Sequence, residues 1–205
     1  MAKWMKWVSS ALVFAALASM PAQAKISKDG MLCLYGFEPG EKENWVLTDR
    51  AEVSVTKNKK EVISGLGSLK ADSMARNDEW NEFLWTDVTR LQLEAGAKYT
   101  VYFKYTVLKK GPDCYFYFLA RSQGSPGLPM DKGWTNITDE EGGSNFTIIN
   151  FTLDDYSDYY LIIGIYKKGA IIVDDFAVFK DEMDEDSIDK AIKEEKAARE
   201  KKPAK

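Results

Sequence analysis

The stretch Ile171-Ile172-Val173-Asp174-Asp175-Phe176-Ala177-Val178-Phe179 constrains the fold more than any other part of the chain. It reads as a β-strand with apolar residues on both parities. Ile172, Phe176 and Val178 fall on one side, and Ile171, Val173, Ala177 and Phe179 on the other. Such a strand is covered on both faces and is not a surface ribbon. Two adjacent carboxylates interrupt it, and a buried strand does not hold them uncompensated. A metal ion, a positive side chain or a strand-end position would each meet the requirement.

The rest of the chain supplies partners of the same kind. Met31 to Phe37, Trp45 to Leu47, Glu52 to Thr56, Tyr99 to Leu108, Cys114 to Ser122, Asn145 to Leu153 and Tyr159 to Tyr166 read as strands. A glycine-punctuated segment, Ser64 to Ala71, leads into another, and Glu82 to Leu93 is extended, with Phe83 and Trp85 on one parity and Leu84 and Val88 on the other. Asp72 to Asn81 is a polar loop carrying Trp80, and Trp134 to Ile137 a short strand after a Gly/Pro loop. About nine short strands with turns between them, and no helix before residue 180, predict an all-β sandwich or jelly roll.

The ends differ from this middle. Lys3 and Lys6, an apolar run from Val8 to Leu17, and Ala22-Gln23-Ala24 have the form of a cleavable export signal over residues 1–24. The run is too short to span a membrane. The mature chain then starts at Lys25, and bacterial export makes it periplasmic or secreted. Residues 25–180 form the folded domain, and residues 181–205 a charged, partly helical tail. In that tail Ile188 and Ile192 form an apolar stripe too narrow to bury much. The expectation is a solvated tail, with a docking helix for a protein partner as the alternative.

Composition excludes several chemistries. The chain has no histidine, which removes Ser-His-Asp and Cys-His catalysis and most catalytic zinc sites. The net charge of −4, with no basic block in the folded part, argues against nucleic acid as a partner. Cys33 and Cys114 either form one disulfide or remain two buried thiols. The Asn-x-Thr triplets at Asn136, Asn145 and Asn150 are ordinary strand and loop polarity if the signal is bacterial.

Four motifs in order resemble a known family. Gly36-Phe37-Glu38 with Trp45 after it, Gly65-Leu66-Gly67-Ser68-Leu69-Lys70, Leu93 to Thr100, and Ile171 to Phe176 are similar to the pattern of carbohydrate-binding modules of the family 4, 9 and 22 types. The resemblance covers residues 31–180 and implies a galactose-binding-like jelly roll. It also implies a structural Ca²⁺ where the two ends of the domain meet. Glu38 and Asp174 would be side-chain ligands, and the carbonyls of Gly36 and Gly67 further contributors, because hard cations take oxygen donors. The other reading of the aspartates is a turn cap or pairing with lysine.

The implied function is non-catalytic binding of a polysaccharide. Sugars are held by aromatic faces and by planar polar groups. In the Cys114–Ser122 strand, Phe116, Phe118 and Ala120 read as core, and Tyr115, Tyr117, Leu119 and Arg121 as an exposed face. Trp80 and Trp134 sit among polar residues and add candidate platforms; Trp85 reads equally as platform or core, and Trp45 as core. An enzyme is the first rival, with Asp78, Glu79, Glu82, Asp87, Asp154 and Asp155 as available carboxylates, but all lie where solvated acids are common. The alternative on the same fold is a structural or adhesive envelope protein that binds a protein partner.

Overall fold

The computed structural model describes residues 30–38, 45–48, 51–123 and 132–201. The segment proposed as an export signal lies outside the described residues. The stretch Ile171–Phe179 falls in β11 (Gly169–Lys180), and every residue of that strand except Lys180 is buried. Three strands pair with it, all antiparallel: β1 (Met31–Tyr35), β4 (Ser68–Asp72) and β6 (Lys98–Lys110). The sheet is completed by β3 (Glu52–Thr56) beside β4 and β9 (Ser144–Thr152) beside β6. The second sheet runs β2 (Trp45–Leu47), β5 (Trp80–Thr86), β10 (Tyr159–Tyr166), β7 (Tyr115–Ser122) and β8 (Lys132–Ile137). Among the described residues, eleven strands in two antiparallel layers, followed by one helix, α1 (Glu185–Glu200), make the expected β-sandwich.

The carboxylates of β11 sit at a β-bulge. Asp174 pairs with Lys104, but the next paired residue is Ala177, opposite Tyr102. Asp175 has a left-handed backbone, φ 49°. The bulge shifts the parity of the strand. Ile171, Val173, Phe176 and Val178 all face the core between the sheets, whereas Ala177 and Phe179 face outward. Strict alternation therefore fails after Asp174, because an inserted residue turns every later side chain to the opposite face.

A second bulge reshapes β5. Gly164 of β10 pairs with Glu82 and Ile163 with Leu84, so Phe83 is the extra residue. Phe83 and Leu84 both enter the core, and Trp85 turns outward to pack beside Ile162. The expected alternation over this segment is corrected accordingly. Trp80 is the first residue of β5 and not part of a loop. Trp45 packs on Tyr35, Phe37 and Phe176, with ring centroids 4.1, 5.6 and 4.9 Å away, as a core tryptophan does.

The C-terminal segment is docked, contrary to the solvated tail expected. Asp184 caps the helix by accepting a hydrogen bond from the Ser187 N–H. Ile188, Ala191 and Ile192 are buried on Met31, Leu34, Tyr102, Ala177 and Phe179, the outward face of β1, β6 and β11. The helix stripe is narrow, but the sheet presents large side chains to it. This accounts for the two-sided burial of β11: one face meets the other sheet and the opposite face meets α1.

Cys33 and Cys114 are not joined by a disulfide. Cys33 pairs with Val178 near the end of β11, while the Cys114 sulfur lies against Gly169 at its start. At about 3.3 Å per residue these positions are separated by roughly 30 Å along the strand, well beyond a disulfide's reach of about 7 Å between Cα atoms. The bridge considered from the sequence does not form.

Candidate functional site

The outward face of the second sheet gathers most of the expected binding residues. Strand pairing aligns them in rows. Tyr166 of β10 lies between Trp80 and Tyr115, and Gly164 between Glu82 and Tyr117. Ile162 lies between Trp85 and Leu119, and Tyr160 is opposite Arg121. The inward residues of β7, Phe116, Phe118 and Ala120, are fully buried in the core. The division of this strand into a core face and an outer face is as the alternation predicted.

At one end the rings form a packed cluster with Trp80 on top. The Trp80 ring centroid is 4.8 Å from Tyr166, 5.4 Å from Tyr117 and 6.3 Å from Tyr115. Tyr115 and Tyr166 stack at 4.5 Å, and the Lys167 ammonium lies 5.3 Å above the Tyr166 ring. Trp80 remains 48% exposed, whereas Tyr117 is only 2% exposed. Tyr117 is thus a support beneath Trp80 and not the exposed platform expected. Its ring lies flat on Gly164: a Cβ there would meet its Cζ at 2.1 Å. Only glycine leaves that space. Burial, reinforced by Tyr166 and Glu79, pushes the Tyr115 phenol above the ordinary tyrosine value, so it stays neutral and keeps its proton for donation.

A second aromatic pair, Trp85 and Tyr160, lies at the other end with centroids 5.3 Å apart. Between the two ends, Arg121 reaches Glu82 across β10, Nη1 to Oε1 3.1 Å. Glu82 is buried and Arg121 about a third exposed. The guanidinium therefore stands at the surface as a planar set of N–H donors, beside a carboxylate that holds it in place. Asn136 of β8 is exposed and pairs with Tyr117 in the ladder. Trp134 lies in β8 too, but its side chain is outside the described residues. The surface thus combines an exposed indole, phenol edges and fixed hydrogen-bonding groups.

The structure brings together Trp80, Trp85, Tyr115, Tyr117 and Arg121. It adds Glu82, Tyr160, Gly164 and Tyr166, which the sequence reading did not place on the binding face. Tyr160, Ile162, Gly164 and Tyr166 share one parity of an uninterrupted strand, a signal that was available. Glu82 carried none, because its partner is 39 positions away.

The residues proposed as calcium ligands also converge, around the Ser64–Ser68 loop. Asp174 accepts the Ser64 N–H at 2.9 Å, the Ser68 hydroxyl at 2.6 Å and the Asp175 N–H at 2.7 Å. Both oxygens of Glu38 accept the Leu66 N–H, at 2.9 and 3.2 Å. The Glu38 carboxylate lies where a Gly65 Cβ would be, 1.6 Å from its Oε1. Gly36 lines the same hollow, and Gly67 packs against the Phe37 carbonyl. Asp175 is fully buried and meets two ammonium groups, Lys104 at 3.0 Å and Lys196 of α1 at 2.5 Å. Burial opposes its ionisation, but Lys196 and Lys104 outweigh that and hold the carboxyl below the usual aspartate range. Burial pushes Asp174 up to about 6. As arranged, these oxygens fit N–H, O–H and ammonium donors better than a hard dication. Among the described residues no three acidic, cysteine or histidine side chains cluster as a metal site.

Comparisons with known proteins agree on the architecture. No protein-family profile and no curated protein matches the chain. Among solved structures, the CBM22-1 xylan-binding domain of Paenibacillus barcinonensis Xyn10C is similar at TM-score 0.56 and 14% identity, over 75% of this chain and 96% of that one. The C-terminal family 22 carbohydrate binding module of Clostridium thermocellum Xyn10B is similar at TM-score 0.57 and 13% identity, over 75% and 96% of the two chains. A further xylan-binding domain from CBM 22 is similar at TM-score 0.56 and 14% identity, over 74% and 95%. At these identities the likeness concerns the fold, and the fold of this chain is the jelly-roll β-sandwich of family 22 carbohydrate-binding modules.

Proposed function

We propose that the chain is a non-catalytic carbohydrate-binding module that takes a polysaccharide of the xylan class on the outward face of β5, β10 and β7. The observation that carries this reading is the half-exposed Trp80, held on a bed of Tyr115, Tyr117 and Tyr166 beside the Arg121–Glu82 pair. An indole fixed in this way presents a flat apolar surface to sugar C–H groups, and the guanidinium supplies planar donors to hydroxyls. The similar folds that are xylan-binding domains favour xylan within the polysaccharides. Glu82 is engaged by Arg121, so it is a positioning group and not one of a hydrolytic carboxylate pair. Export is part of the proposal, since the substrate lies outside the cell. Among the described residues no helix is long and apolar enough to cross a membrane.

The test is affinity electrophoresis of the protein in gels containing xylan, β-glucan, mannan or pectin. Retardation by xylan that is lost in Trp80→Ala supports the reading, with Trp134→Ala and Tyr117→Ala as companions. Unretarded migration in every polymer contradicts it and favours the structural or adhesive role. In that role a protein partner would meet the charged outer face of α1, because its apolar stripe is already buried.

A further inference from the structure

We propose that α1 is a built-in counter-ion donor: Lys196, together with Lys104, supplies the positive charge that the β11 bulge requires, and the sandwich is closed without a divalent cation. The resemblance assigns this region a structural Ca²⁺, and the structure fills the requirement differently.

The argument begins at Asp175. Its side chain has no solvent exposure, and its left-handed backbone fixes it at the bulge. A fully buried carboxylate is retained only with a compensating charge and hydrogen bonds. Each of its oxygens meets one ammonium: Oδ2 meets Lys104 at 3.0 Å, and Oδ1 meets Lys196 at 2.5 Å. The Ser64 hydroxyl completes the set, 3.1 Å from Asp175 Oδ1 and 3.2 Å from the Lys196 nitrogen. Lys196 thus sits among oxygen acceptors from β11 and the Ser64–Ser68 loop, the environment a bound cation would occupy.

The helix is positioned to deliver this charge. Ile188, Ala191 and Ile192 seat its first half on the sheet. Lys196 follows Ile192 by one helical turn, on the same side. Arg199 Nη2 then donates to the Leu34 carbonyl of β1 at 2.8 Å, which ties the last turn to the strand that opens the domain. A hollow of about 470 Å³ lies between this turn and the loop, lined by Glu38, Gly65 and Leu66 on one side and Lys196, Arg199 and Glu200 on the other. Lys196 thus neutralises Asp175 and shares this hollow with Glu38, while Asp174, the side-chain ligand that the resemblance implies, is held by the Ser64 and Asp175 N–H groups and the Ser68 hydroxyl. The inference is independent of sugar binding, since it concerns the opposite sheet.

The experiment compares thermal melts of the full chain, wild type and Lys196→Met, with added Ca²⁺ and with a chelator. Methionine keeps the apolar stem of the lysine and removes its charge. The expected results are no shift of the wild-type midpoint between Ca²⁺ and chelator, and no heat of Ca²⁺ binding by calorimetry. Lys196→Met is expected to melt lower by roughly 5 °C, because one of the two charges on a buried partner is lost. Hydrogen exchange across residues 185–200 should then accelerate. A lower wild-type midpoint in chelator, or stoichiometric Ca²⁺ binding, would overturn the proposal. So would a Lys196→Met protein with the wild-type midpoint and helix protection.

Discussion

Replacing Gly164 with alanine tests the bed beneath Trp80 directly. The added Cβ would lie 2.1 Å from Tyr117 Cζ, 2.2 Å from its hydroxyl oxygen and 2.6 Å from Cε2. The ring has no room to yield, since Tyr117 is 2% exposed and Trp80 packs on it at 5.4 Å. Overpacking of this kind costs about 1–3 kcal/mol. In a chain of this size that is a fall in midpoint of roughly 3–10 °C. Without the clash the sign reverses, because alanine restricts the unfolded chain and stabilises by about 0.4–1 kcal/mol. The direction of the shift in a circular-dichroism melt therefore decides the matter. Expulsion of Tyr117 also tilts Trp80, so retardation by xylan should weaken in step. The second substitution Tyr117→Leu removes the clashing atoms and should recover most of the lost midpoint but not the binding. Gly164→Ala with an equal or higher midpoint and unaltered binding would refute the reasoning.

Three further outcomes follow from the geometry. Arg121→Met leaves the buried Glu82 carboxylate without its partner; the guanidinium is about a third exposed, so the expected loss is about 1–3 kcal/mol, read in a urea titration, with weaker xylan retardation. Gly65→Ala places a Cβ on Glu38 Oε1 and strains a left-handed position at φ 67°, so its midpoint should fall while Glu38→Ala in the same background restores part of it. Asp174 is held near pKa 6 in the folded chain against 3.8 for an ordinary aspartate, so the folded state takes up its proton first and its contribution to stability rises as pH falls through that interval. Wild type should therefore gain about 1 kcal/mol relative to Asp174→Asn between about pH 7 and pH 5, measured by paired melts. Asp175, with its lowered value, contributes the opposite trend only below the ordinary aspartate range.

What the sequence disclosed depended on how regular each strand is. The split of β7 into Phe116/Phe118/Ala120 and Tyr115/Tyr117/Arg121 was legible because that strand is paired without interruption to β10. Alternation failed in β11 and β5, where bulges at Asp175 and Phe83 insert a residue. No glycine marks either bulge, so neither carries the usual signal. The need to compensate Asp174 and Asp175 was readable, and pairing with lysine was one of the stated solutions. Which lysines do so was not, because Lys104 lies 71 positions from Asp175 and Lys196 belongs to a helix that looked solvated. The docking of α1 depends on Tyr102 and Phe179 emerging on the outer face, and the β11 bulge itself creates part of that face.

The central claim is that the face built on Trp80 holds a xylan chain. The most direct measurement is a titration of the isotopically labelled protein with a soluble xylo-oligosaccharide, following the indole N–H resonances. The account predicts that Trp80 and Trp85 shift progressively and saturate, while the core residue Trp45 does not move. Resonances of Trp80 and Trp85 that stay fixed at saturating ligand, or shifts confined to residues of the opposite sheet, would contradict it.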